Sequence, residues 1–196
     1  MNEIIRRLDR TSINALRSLL GFRIQTLLSD STDITFGSSA IEVMSVSVQL
    51  GLRNFLILQS VWGDTPKEWL NYHCLSARLS EAPRGITYKS NPQAIETSYC
   101  KDHLEFHLGA AASIASIDVL EAREVGDMES VTYDAGVLIT RVDGMRLCVV
   151  RAEYNIGALR IVHDPRELEE VTDGLRVRIR FKADDSVKPT VLHGAT

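Results

Sequence analysis

The residues best suited to chemistry by type and spacing are Cys100, His103, Glu105 and His107, which read C-x-x-H-x-E-x-H. On a strand His103, Glu105 and His107 share one face at about 6–7 Å per two residues, a workable spacing for a centre of two histidines and one carboxylate. Cys100, at odd spacing, points the other way. His73 and Cys74 suggest a nucleophile and its base, but sequence neighbours diverge on any regular element, and a working pair must meet in space. Cys148, inside the apolar run 147–150, reads as a small core residue. Asp134, Asp143, Asp164 and Asp173 could hold a divalent cation together, yet each reads first as a turn or cap residue. The chain has no glycine-rich phosphate loop, no G-x-S-x-G, no H-E-x-x-H and no cysteine pair at zinc spacing. No catalytic residue, metal or cofactor is therefore assigned. A metal-dependent enzyme using His103, Glu105 and His107 is the alternative reading.

A second group has the residue types of a binding surface. Trp62, Trp69 and Tyr72, with Arg78 and Arg84 close in sequence, belong to the types enriched at interface hot spots. Arg176, Arg178 and Arg180 alternate with Val177, Ile179 and Phe181, so a strand here carries a basic ladder on one face. Adjacent like charges repel, and such a ladder needs carboxylates on a neighbouring strand or an acidic partner. These eight residues, the aromatic trio and the five arginines, are the candidate binding set.

The elements that must position them are mostly strands. Apolar runs at 137–142 and 145–152 flank Asp143-Gly144, the strongest short-range hairpin signal, for which a type I′ turn is expected. Residues 40–62 align without a gap to this hairpin region at an offset of about 92, so the chain reads as internally duplicated. Asn91-Pro92 matches Asp164-Pro165, and Leu104, Phe106 and Leu108 match Val177, Ile179 and Phe181, at an offset of about 73, which leaves roughly 19 extra residues in the first copy. That insert, within 63–90, is the segment suspected of function, because surface loops tolerate length change and cores do not. Under this alignment the arginine ladder occupies the same face of the equivalent strand as His103, Glu105 and His107, which reads their face as the solvated side of a repeated strand.

Apolar spacing predicts an N-terminal helix over 1–21, with an internal start capped by Thr11 or Ser12. The run 54–62 is apolar on both faces and should be covered on both sides. A helix is expected over 66–79, a strand at 113–120, a charged loop at 121–129, and a short helix from Asp164-Pro165 to about Val171. The expected architecture is β-rich α+β. It comprises the helix 1–21, a first repeat at 22–108, a second at 109–183 and a flexible tail at 184–196, fused into one barrel or sandwich-like body.

Composition bounds the function. The chain has 196 residues, 44% hydrophobic and 24% charged, with a net charge of −4, the balance of an ordinary globular protein and not of a dedicated nucleic-acid binder. Three cysteines without disulfide or zinc spacing fit a reducing compartment, and the absence of a signal-like start or a membrane-length apolar run predicts a cytoplasmic protein. In size, charge and lack of a site signature the chain is similar in kind to small bacterial immunity proteins that neutralise toxins by occluding them. That likeness implies a non-catalytic protein-binding module whose partner is another, basic protein. A homo-oligomeric structural subunit is the remaining class.

Overall fold

A computed structural model describes residues 1–30, 33–34, 40–86, 88–90, 98–100, 103–152 and 157–183. The expected tail at 184–196, the Asn91-Pro92 turn and the Cys100 side chain lie outside the described residues. In chain order the elements are β1 (Asn2–Arg6), α1 (Arg10–Ser18), β2 (Arg23–Ser29), β3 (Asp33–Ile34), β4 (Ile41–Val43), β5 (Ser45–Gly51), β6 (Asn54–Asp64) and β7 (Asn71–Ser80). They continue with β8 (Tyr88–Ser90), β9 (Ser98–Cys100), β10 (Leu104–Val125), β11 (Glu129–Arg141), β12 (Arg146–Arg151), β13 (Leu159–Val162), α2 (Pro165–Thr172) and β14 (Arg176–Lys182).

Twelve strands form one sheet in the order β3-β4-β13-β12-β11-β10-β2-β5-β6-β7, with β1 added beside β11 and β14 beside β10. The pairing is antiparallel except between β1 and β11. The sheet is not closed into a barrel, which corrects that half of the expectation. The outer edge of β7 is covered in part by α1, where the Ala77 N–H donates to Ser12 Oγ at 3.3 Å. Among the described residues no helix is long and apolar enough to cross a membrane.

Four expectations about elements are corrected. The N-terminus is not one helix: residues 2–6 pair with β11, and α1 starts later, capped by Asp9, whose Oδ1 accepts the Ser12 N–H at 2.6 Å. That bond holds the Asp9 carboxyl below its usual range. The segment expected as a helix over 66–79 is instead a loop and then β7, because His73, Leu75 and Ala77 are buried at alternate positions, a period of two. The charged loop expected at 121–129 is largely strand, since β10 continues to Val125 and its carboxylates are answered by arginines from other strands. The Asp143-Gly144 hairpin forms, but not as type I′. Only Gly144 has positive φ, at 86°, and its N–H donates to the Arg141 carbonyl, a type I turn closed by a left-handed glycine.

Other elements match their sequence signals. Helix α2 starts at Pro165, with Asp164 Oδ1 accepting the Arg166 N–H at 2.9 Å. Strand β6 is covered on both faces: Leu56 and Leu58 enter the main core, while Phe55 and Ile57 pack with Leu28 and Ile86. The main core gathers Leu16 and Leu19 from the helical segment, Leu27, Val46 and Val48 from one half of the sheet, and Ile117, Val137, Ile139 and Val149 from the other. Strand β10 ties the halves together. It pairs with β2 over its first half and with β11 and β14 over its second, with register breaks between His107 and Ala112 and near Leu120.

Candidate functional site

The arginine ladder is satisfied from within. Arg178 donates through Nε and Nη2 to both oxygens of Asp134, each at 2.6 Å, and Arg180 does the same to Asp118 at 2.6 and 2.8 Å. Arg176 donates to Glu121, which also accepts from Arg7. Asp134 is fully buried in the middle of β11, not at a turn as its sequence context suggests, and accepts the Leu8 N–H at 2.7 Å. Burial opposes ionisation of Glu121, yet hydrogen bonds from Arg176 and Arg7 outweigh it and hold the carboxyl below its usual range. Of the four aspartates, Asp143 and Asp164 do serve a turn and a cap.

His103, Glu105 and His107 share a face, with Nε2 of the two histidines 4.0 and 3.6 Å from the Glu105 carboxylate. Among the described residues no group of three or more metal-ligating side chains converges closely enough to share an ion. His73 is buried while Cys74 lies on the opposite face of β7, and burial pushes the Cys74 thiol up to about 11. Cys148 is pushed up to about 12 by burial. Neither sulfur is set up as a nucleophile.

Both tryptophans of the chain line one cavity of about 500 Å³ at the far end of the β6-β7 arm. Its walls are Trp62, Trp69, Leu70, Asn71, His73, Glu124, Arg151 and Ala152, from β6, the following loop, β7, β10 and the end of β12. Trp62 and His73 are cross-strand partners on β6 and β7, and Trp62 Nε1–H donates to Asn71 Oδ1 at 3.0 Å, which orients the indole. His73 is 8% exposed, and among the described residues its buried Nδ1 has no partner. Burial, helped by Arg151 and opposed by Glu124 and Asp64, lowers its pKa, so the imidazole is neutral near neutral pH. Glu124 Oε1 accepts from Arg151 Nη1 at 2.9 Å and from the Tyr133 hydroxyl at 3.2 Å. Arg151 also donates to the Tyr133 oxygen, and its guanidinium lies 5.5 Å from the Tyr133 ring centroid.

Trp69 is the conformational outlier of the site. Its φ is +57°, a left-handed conformation disfavoured for a bulky residue, and its ring is 72% exposed. The loop is held in this state by two sets of bonds. Thr65 accepts the Trp69 N–H on its carbonyl at 3.3 Å and the Leu70 N–H on its hydroxyl at 3.1 Å. Glu129 Oε2 accepts the N–H groups of Lys67 and Glu68 at 2.9 and 3.1 Å, while the Glu68 carboxylate accepts those of Asp127, Met128 and Glu129 at 2.9, 3.0 and 2.6 Å. A side chain at Gly126 would collide with this clasp, its Cβ falling 2.5 Å from Glu68 Oε2.

Of the residues expected to bind, the cavity gathers Trp62 and Trp69. Tyr72 turns inward, its ring 6.3 Å from that of Tyr133 and beneath the Arg6 guanidinium at 5.4 Å. Arg78 and Arg84 lie elsewhere on the arm; Arg78 faces Ile57 across the ladder and Arg84 donates to Gln59 at 2.6 Å. Asn71, His73, Glu124 and Arg151 were not in the expected set. Only the alternation of β7 could have placed His73 beside Trp62, and no local signal joins Glu124 or Arg151 to them. No family model matches the chain, and no curated protein or solved structure is significantly similar to it.

Proposed function

We propose that this is a non-catalytic binding protein that occludes another protein through the surface around Trp62 and Trp69, acting in the cytoplasm in the manner of an immunity protein. The observation that carries the reading is Trp69: an indole presented to solvent from a strained, doubly clasped loop, beside a second half-exposed tryptophan. Strain of this kind costs about 1–3 kcal/mol and persists only where the surroundings enforce it, which is how recognition elements are preorganised. Two further features support it. The two meanders, β2-β5-β6-β7 and β10-β11-β12-β13, follow one plan, which we read as the duplicated unit. The copies differ in the arm, with 11 and 10 residues in β6 and β7 against 6 and 4 in β12 and β13. The longer arm is the one that carries the tryptophans.

The test is capture of a partner from the native cell extract by wild type and by the Trp62→Ala, Trp69→Ala variant, with the solution mass of each. A stoichiometric foreign partner held by wild type and lost by the variant is the expected result. Equal capture by both, or a wild-type dimer that the variant dissolves, overturns the reading; the dimer would favour the homo-oligomeric class.

A further inference from the structure

We infer that the cavity is a receptor for an arginine side chain of the partner protein, an assignment that rests on the binding reading above. Its mouth is aromatic: Trp62 and Trp69 are 43% and 72% exposed, and an indole face attracts a planar guanidinium more effectively than any other ring. Its interior offers acceptors. Among the described residues both bonds to Glu124 end on Oε1, which leaves Oε2 for a ligand, and Asn71 also lines the wall. Arg151 places one cation in the wall, held by Glu124 and by the Tyr133 oxygen and ring, so an entering guanidinium shares the Glu124 carboxylate with it. His73 adds no positive charge, and its buried Nδ1 has no partner among the described residues. The chain as a whole carries −4, which attracts a basic partner over distance. A guanidinium is preferred to an ammonium because its flat fork can stack and hydrogen-bond at once.

The two indole N–H resonances read this site without background, since the chain has no other tryptophan. Wild type is titrated with capped Gly-Arg-Gly, and with the same peptide carrying citrulline, lysine or glutamate at the centre. The expected result is a saturable shift of both resonances by the arginine peptide, with citrulline at least roughly tenfold weaker because it keeps the shape and lacks the charge. Glu124→Gln should weaken the arginine peptide by roughly tenfold. Because Glu124 also holds Arg151, Trp69→Ala serves as the second variant, and there the Trp62 resonance should no longer respond. Absence of a shift with arginine, equal affinity for citrulline or lysine, or preference for glutamate overturns the assignment. Partner capture that depends on the tryptophans would survive any of these outcomes, so the two readings fail separately.

Discussion

At the scale of single residues, the binding role proposed for Trp69 is set against the backbone strain it carries. A left-handed backbone is free of strain only for glycine, which lacks the Cβ that causes the clash. Trp69→Gly should therefore fold as well as wild type or better by about 1 kcal/mol, since release of strain offsets the entropy glycine adds to the unfolded chain. Urea denaturation measures this, and a loss of more than about 1 kcal/mol would show that the ring works for the fold. Binding should be lost in the same variant. Sequence reasoning reached Trp62 and Trp69 because aromatic type is visible in one residue. It could not reach Tyr72's half-buried place against Tyr133 and Arg6, because what covers that face of β7 comes from elements far away in the chain.

At the scale of elements, the loop between β6 and β7 is fastened by a reciprocal exchange of carboxylates with the β10-β11 turn. Burial opposes the ionised form of Glu129, but the Lys67 and Glu68 N–H groups outweigh it and hold its pKa below the ordinary 4.5. A depressed folded pKa means that this stabilisation is complete above the ordinary value and is lost as pH falls through the folded one. In a Trp62→Phe background, Trp69 fluorescence should change below pH 4.5 while the strand signal in circular dichroism persists. With Glu129→Gln that acid step should vanish, and an unchanged profile would show that another group controls the loop. The same elements show where sequence periodicity failed. In β10, Glu121 and Glu124 look like loop residues because charge without visible partners reads as solvated; their partners Arg176, Arg7 and Arg151 lie 55, 114 and 27 residues away.

At the scale of the whole molecule, the pairs between β14 arginines and buried carboxylates pin a long open sheet. Asp134 holds Arg178 and accepts the Leu8 N–H, so one carboxylate joins β14, β11 and the segment that leads into α1. Asp134→Ala leaves the half-buried Arg178 without its counter-charge and the Leu8 N–H without its acceptor, an arrangement that costs about 2–3 kcal/mol, less than for a fully buried pair because Arg178 is 23% exposed. Urea denaturation should show this loss, and replacement of both partners by apolar residues should restore most of it. A cost under about 1 kcal/mol for the single variant would mean that solvent replaces Asp134 around Arg178 and that the pair does not tie the sheet together.

The sequence by itself determined what short-range chemistry controls. The Asp143-Gly144 reversal, the Asp164-Pro165 start of α2, the alternation of β14 and the two-sided burial of β6 are each written within about a dozen residues, where turn, cap and periodicity rules operate. Tertiary structure decided the rest. Whether β7 would meet the far edge strand β3 or be covered by α1, where the charges of β10 find their partners, and that Trp62, Trp69 and His73 meet Glu124 and Arg151 all depend on strands far apart in the chain. Pairing at that range is selected by the packing of the whole core and leaves no mark in any single segment, so the cavity became visible only once the sheet was assembled.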